Sequence, residues 1–227
     1  MRLILFDIDG TLIDSGGAGV RSLDLAFRKV FSVLNAFQGI SMAGKTDTQI
    51  IKEGLIKHGL SMDGNFDEII EAYLLHLTQE IRNDGKHTKP GIYEILEQLN
   101  LMEDIGLGLL TGNLEQGARI KLGPFDLNKY FPSGAFGSDD ENRNKLLPFA
   151  VNRFEEMFDK RIDIEKSIVI GDTPRDVECA HIYGAVCIGV ATGPYSIDEL
   201  TEAKADYVLN DLSDHMNLLQ SLNLLAL

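Results

Sequence analysis

Only two cysteines occur in the 227 residues, and basic side chains are few, 21 Lys and Arg against 35 Asp and Glu. Each shortage excludes something. Cys179 and Cys187 are too few for a disulfide framework or a cysteine-rich zinc site, so a reducing, cytoplasmic setting is expected. The five histidines are scattered, with none paired at zinc-ligand spacing. A formal net charge of -14 argues against a general nucleic-acid binder, which needs clustered Lys and Arg for the phosphate backbone. No apolar stretch approaches the length that spans a bilayer. The oily run at the start of the chain stops at Asp7, too short for a secretory h-region. A soluble chain with no membrane partner is expected, and no internal repeat or low-complexity tract is visible.

What is present is ordinary globular material, 44% hydrophobic and 25% charged, with a length that suits one large domain or a domain carrying an insert. Short apolar runs at residues 3–6, 105–110 and 167–170 read as strands buried on both faces, and 186–190 and 207–209 as two more. Helical spacing lies between them, as at Ile92, Ile95, Leu96 and Leu99, and again over 146–157. This alternation predicts an α/β fold, a Rossmann-like parallel sheet with helices on both faces. Residues 15–87 differ. Three helix-like segments, 20–34, 48–58 and 66–81, follow one another without a strong strand, which predicts a small α-helical domain inserted into a core of 1–14 and 88–227. Its borders at 15–19 and 86–91 are glycine-rich or turn-prone and suit a hinge. The glycines of "GGAGVRS" lack the spacing of a dinucleotide turn and read as linker. The leucine-rich 216–227 stretch suits a cover for the sheet edge or, alternatively, a dimer patch.

Three of the strands run into polar clusters: Asp7-Ile8-Asp9-Gly10-Thr11, Thr111-Gly112-Asn113, and Gly171-Asp172-Thr173-Pro174-Arg175-Asp176. In parallel sheets, ligands bind outside the carboxyl ends of the strands, where these clusters stand. Asp7 and Asp172 converging on one point would repel, and a hard divalent cation such as Mg²⁺ resolves that repulsion with carboxylates, water and substrate phosphate. Thr111 and the backbone N–H groups of Gly112 and Asn113 suit phosphate oxygens. Arg143 or Lys145, just before a helix, would supply a cation. Carboxylates, metal, hydroxyl and cation together suit phosphoryl transfer.

The three clusters resemble motifs I, II and IV of the haloacid dehalogenase superfamily, in the family's order, and the likeness extends over essentially the whole chain. It implies a hydrolase with a helical C1-type cap, of the phosphoglycolate phosphatase-like kind. On that resemblance Asp7 is the nucleophile and forms an aspartyl phosphate, and Asp9 is the general acid and base. Mg²⁺ is held by Asp7, Asp172 and the main chain of Asp9, with Asp176 in support. Thr111 holds a phosphoryl oxygen, and Thr11, Gly112 and Asn113 belong with substrate binding. Motif III departs from pattern: "ENRNKLLPFA" replaces the usual Lys-Pro-x-Pro, and Arg143 or Lys145 takes the lysine's place, Arg143 being nearest in position. "AGKTD" at 43–47 resembles the cap loop that reaches the substrate, with Lys45 as the contact. The implied substrate is a small phosphate monoester, handled by a monomer or weak homodimer. A phosphomutase similar to beta-phosphoglucomutase is an alternative, as is a catalytically idle domain used for binding or regulation. Asp9 argues against a true dehalogenase or a phosphonoacetaldehyde hydrolase, which lack an aspartate at that place.

Overall fold

A computed structural model describes residues 1–61, 64–222 and 224. Arg2–Phe6 forms strand β1. It is followed by a two-residue strand β2 (Ile13–Asp14), helices α1 (Ala18–Phe31), α2 (Asp47–Lys57) and α3 (Phe66–Glu80), and a second short strand β3 (His87–Thr88). Helices and strands then alternate: α4 (Ile92–Asn100), β4 (Ile105–Leu110), α5 (Glu115–Leu122), β5 (Ser133–Ala135), α6 (Leu146–Phe158), β6 (Ile168–Gly171), α7 (Pro174–His181), β7 (Val186–Val190), α8 (Ile197–Glu202), β8 (Tyr207–Leu209) and α9 (His215–Ser221).

Six of these strands form one parallel sheet in the order β5-β4-β1-β6-β7-β8. Alternation along each strand sorts the core into two layers. Ile4, Phe6, Leu107, Leu109, Ile168 and Ile170 face one side, with Ile95 and Leu99 of α4 and Leu122 of α5. Leu3, Leu5, Leu110 and Val169 face the other, with Leu147 and Phe154 of α6. Gly106 and Gly108 explain how α6 comes so close to β4: a Cβ on Gly108 would lie 2.8 Å from the Phe154 ring. Since β4 and β6 flank β1 on opposite sides, the chain reverses its winding there, and the carboxyl ends of these three strands open one crevice.

The three helices α1–α3 have their own apolar centre, including Leu23, Phe27, Phe37, Ile51, Tyr73 and Leu77, with Leu114 of the sheet layer packed against it. Phe27 and Phe37 meet edge to face at 4.7 Å between centroids. Gly54 of α2 lies under both rings, where a Cβ would come within 2.7 Å of Phe37. Of the described residues, no helix is long and apolar enough to cross a membrane.

Some expectations shift. Helix α1 ends when Ser32 adopts a left-handed conformation (φ 58°), so Leu34 lies beyond it and is 65% exposed. β6 begins one residue later than the apolar run suggests. β5 is a strand that the sequence pattern does not announce, because Ser-Gly-Ala offers no β-branched or aromatic residue; it forms by pairing with β4 at the sheet edge. The borders of the helical insert are crossed by the antiparallel β2–β3 pair, a strand element the helical reading omits. In the leucine-rich 216–227 stretch, Leu218, Leu219 and Leu222 join the layer beside α4, covering a face of the sheet and not its edge; residues 223 and 225–227 lie outside the described residues.

Candidate active site

Asp7 follows directly on β1 and is 5% exposed; its N–H donates to the Ile170 carbonyl at 2.9 Å, which fixes it against β6. Asp172 follows β6, and Asp176 stands in the first turn of α7. Carboxylate oxygens of all three lie within 4.8 Å of one another. One cation answers them. Arg143, from the turn before α6, is 3% exposed. Its Nη2 lies 3.3 Å from Asp7 Oδ1 and also donates to Asp176 Oδ1. With all three ionised, these carboxylates against one guanidinium would leave a surplus of two negative charges in a buried space. Burial pushes the Asp7 pKa up to about 6, against the pull of Arg143. Burial also raises Asp172 well above the usual carboxylate range, with Asp7 and Asp176 adding like-charge repulsion. Burial disfavours the charge on Arg143, but Asp176 and Asp7 outweigh it and hold the guanidinium protonated.

Local backbone chemistry sets this cluster. Gly10 turns the chain in a left-handed conformation (φ 87°), and any side chain there would collide with the Asp172 carboxylate; Gly193 approaches the same carboxylate from the other side. Thr11 Oγ1 donates to Asp172 Oδ1 at 3.0 Å. Asp176 accepts from Thr173 N at 3.0 Å and Thr173 Oγ1 at 2.8 Å, a capping box that starts α7. Its two oxygens are therefore already committed to Thr173 and Arg143.

Asp9 looks the other way. Its Oδ2 accepts from Lys121 Nζ at 2.6 Å and from Asn113 Nδ2 at 2.9 Å. Asn113 in turn takes a second bond from Lys121 at 2.6 Å and gives one to Thr111 Oγ1 at 2.9 Å. Burial alone would raise the Asp9 pKa, but the Lys121 charge and the hydrogen bonds from Lys121, Asn113 and Ser15 bring it below the usual range. Burial likewise works against the charge on Lys121, and Asp9 and Asp47 more than restore it. Sequence reasoning overlooks Lys121. A signal existed: Gly117, Ala118, Lys121 and Leu122 form the buried face of α5, so this lysine stands at helical spacing among buried positions, where a lone charge needs a partner.

The helical layer closes over these groups. Asp47, at the start of α2, donates its N–H to the Gly112 carbonyl at 2.7 Å and accepts from Leu114 N at 2.9 Å. Thr46 Oγ1 donates to the Glu141 carbonyl at 2.9 Å. Gly112 has no room for a side chain, since a Cβ would run into the Lys45 carbonyl. Between the layers lies a cavity of about 430 Å³, with Asp7, Asp9, Thr111 and Asp172 on its floor and Val20, Leu23, Met42 and Ile50 above.

Comparison with known proteins gives this geometry a family. Residues 4–190 match the family model described as haloacid dehalogenase-like hydrolase. The chain belongs to that family. It is similar to phosphoglycolate phosphatase of Aliivibrio fischeri, 24% identical over 93% of each chain. It is 26% identical to phosphoglycolate phosphatase of Aquifex aeolicus, over 97% of this chain and 98% of that one. Among solved structures it resembles a predicted phosphoglycolate phosphatase from Haemophilus somnus, with a TM-score of 0.71 and 18% identity over 96% of this chain and 97% of that one; at that identity the likeness speaks for the fold.

The other expected residues of this haloacid dehalogenase-like hydrolase divide by place. Thr111 is buried on the cavity floor, held by the Asn113 amide. The Asn113 N–H turns back toward Thr111 Oγ1 at 3.4 Å, and the Asn113 side chain is the part that reaches Asp9. Thr11, expected with substrate binding, is not among the residues lining the cavity; its hydroxyl donates to Asp172. Lys45 lines the cavity and pairs with Glu53 at 2.6 Å. Arg143 faces Asp7, whereas Lys145 is 61% exposed and pairs with Asp140 at 3.2 Å. Cys179 is buried, its thiol pushed up to about 12 by burial, and donates to the Arg143 carbonyl. His181 pairs with Asp206 on the surface.

Proposed function

We propose that this chain is a Mg²⁺-dependent phosphatase of small-molecule phosphate monoesters, phosphoglycolate phosphatase-like, working through an aspartyl-phosphate intermediate. One observation carries the reading. A buried carboxylate cluster, with two surplus negative charges when fully ionised, opens into the same cavity as Asp9 and Thr111. The donor set fits a hard divalent ion: oxygen ligands only, in a cluster whose charge Arg143, its one cation partner among the described residues, balances only in part. Asp7, Asp172 and the Asp9 carbonyl would hold it, with Asp176 behind them because its oxygens are engaged by Thr173 and Arg143. When bound, the ion neutralises charge on the transferring phosphoryl group.

The residues then divide the reaction. A carboxylate oxygen of Asp7 attacks phosphorus while the bond to the leaving oxygen breaks, and Asp9 supplies that oxygen with a proton. Water next attacks the phosphorus of the aspartyl phosphate and gives a proton to Asp9, while the bond from phosphorus to the Asp7 oxygen breaks and leaves inorganic phosphate and the free Asp7 carboxylate. The Lys121 and Asn113 contacts favour the ionised Asp9 that this second step requires. For the first step Asp9 takes up a proton from solvent as the ester binds and passes it to the leaving oxygen. Arg143 and Thr111 hold phosphoryl oxygens, Arg143 serving where relatives use a lysine. Lys45 stands at the leaving-group end. Residues 15–87 act as the cap over the core of 1–14 and 88–227, excluding water during the transfer.

Phosphate release from p-nitrophenyl phosphate and a panel of metabolite monoesters tests the reading, with Mg²⁺ and with chelator. Release should require the metal, and Asp7→Asn should lower kcat by at least about 10³-fold. Release from no ester, with Asp7→Asn no different from wild type, would overturn it.

A further inference from the structure

Resting on the phosphatase reading, but departing in substrate from the phosphoglycolate phosphatases this chain resembles, we propose that the site selects an uncharged leaving group, an alcohol or polyol of three or more carbons, over a hydroxy acid. The argument is one of charge. Four cationic side chains line the cavity: Lys45, Lys89, Lys121 and Arg143. Each is already held by a carboxylate of this chain. Lys45 pairs with Glu53 at 2.6 Å, Lys89 with Asp14 at 3.4 Å, and Lys121 with Asp9 at 2.6 Å. Arg143 serves Asp7 and Asp176. Five carboxylates line the same space, Asp7, Asp9, Asp14, Asp47 and Asp172. The phosphoryl charge would be met by the metal, which by engaging Asp7 would leave Arg143 partly free for a phosphoryl oxygen. A second anionic group on the substrate would find, among the described residues lining the cavity, no cation without a carboxylate of its own. It would also face Asp47, whose Oδ2 is committed to the Leu114 N–H. Arg175 packs its stem against Gly44 but is exposed and does not line the cavity.

What the cavity does offer suits hydroxyl groups on a carbon frame. Asp14 and Asp47 present acceptors, Ser15 and Tyr73 carry hydroxyls, and Val20, Leu23 and Met42 give the apolar wall. The volume of about 430 Å³ falls within the range of roughly 300–1,000 Å³ that holds whole organic ligands, more than a two-carbon acid fills. A buried carboxylate without a partner is strongly disfavoured, whereas a hydroxyl between acceptors is satisfied.

A matched pair of probes tests this, glycerol 3-phosphate against 3-phosphoglycerate, with phosphoglycolate as the two-carbon acid. With Mg²⁺, kcat/KM for the glycerol ester should exceed that for either acid by about tenfold or more. Equal rates, or a preference for an acid, would overturn the proposal even with the phosphatase reading intact. Calorimetric titration of the same probes keeps the two separable. If no ester is hydrolysed, tighter binding of the glycerol ester still supports the selectivity, and equal or tighter binding of an acid refutes it. Glu53→Gln releases Lys45 without altering the lining. It should raise the acid-to-polyol ratio by about two- to fivefold, the worth of a partly exposed ion pair. An unchanged ratio would refute the pairing of Lys45 as part of what excludes the acid.

Discussion

Asp7 and Asp9 are separated by one residue, yet they occupy opposite electrostatic conditions. Asp7 looks toward β6 and α7, where two more carboxylates share a single guanidinium. Asp9 looks toward α5, where Lys121 and Asn113 satisfy it. Strand alternation would send positions two apart to the same face. The two aspartates diverge because β1 ends at Phe6 and the chain turns at once, with Thr11, Leu12 and Ile13 bonded back to the Ile8 carbonyl and Gly10 in a left-handed conformation. The difference teaches how one short motif can hold a group that needs a cation from outside beside one that the fold has already neutralised. The first kind of site is unfinished without a ligand; the second is finished by the protein.

The largest effect should come from the one cation on the Asp7 side. Arg143→Ala would leave three buried carboxylates without a counter-charge, at a cost of about 3–5 kcal/mol. Urea unfolding of this variant beside Lys145→Ala checks it, since the exposed Lys145–Asp140 pair should be worth no more than about 0.5 kcal/mol. Arg143→Lys should fall between, because an ammonium keeps the charge but must reach on a differently shaped side chain to the single point where Nη2 meets both Asp7 and Asp176. If the two alanine variants unfold alike, the unequal charge balance of the two regions is not an energetic fact.

The next effect has the opposite sign. In chelator, Asp7→Asn should stabilise the protein above pH 6. The folded chain holds a proton on Asp7 up to about pH 6, while the unfolded chain releases it near 3.8. Stability therefore falls as pH rises through that window, by an amount on the order of 3 kcal/mol. The asparagine variant lacks this loss, so the two proteins should converge at acid pH and separate in favour of the variant at pH 8. Mg²⁺ should reverse the order at pH 8 by binding the ionised wild type. Thermal unfolding with chelator and with Mg²⁺ at pH 4 and pH 8 reads all of this. A wild type more stable than the variant in chelator at pH 8 would remove the case for surplus charge.

Much of this arrangement was legible in the residues. The sheet could be read because β1, β4 and β6 are apolar on both faces, and the site because each ends in a polar cluster at the crevice. β5 was not legible, because Ser133–Ala135 becomes a strand through its neighbour and not through its own side chains. Lys121 was hidden for a related reason. Its partners Asp9 and Asp47 are 112 and 74 positions away; the pairing of β1 with β4 brings Asp9 beside α5, and the docking of α2 on the Thr111–Leu114 turn brings Asp47. The Thr11 bond to Asp172 was not legible, because a hydroxyl beside such a motif suits substrate as readily as it suits a neighbouring carboxylate. Spacing alone does not choose between them.

The smallest effect is the most direct test of the Asp9 side. A double-mutant cycle with Asp9→Asn and Lys121→Met should give a coupling of about 1 kcal/mol at pH 7. The value is modest because the Asp9 side chain is 40% exposed and solvent screens the pair. Its pH dependence runs against that of Asp7. The pKa of Asp9 is depressed, so its contribution is complete above the unfolded value and is lost as pH falls through the folded one. The same cycle with Asp7→Asn and Lys121→Met should give coupling within about 0.5 kcal/mol of zero, since no hydrogen bond joins those two side chains and Asp7 has Arg143. Equal coupling in both cycles would mean that Lys121 serves the two aspartates as one cluster, and the division between a finished and an unfinished side would fail.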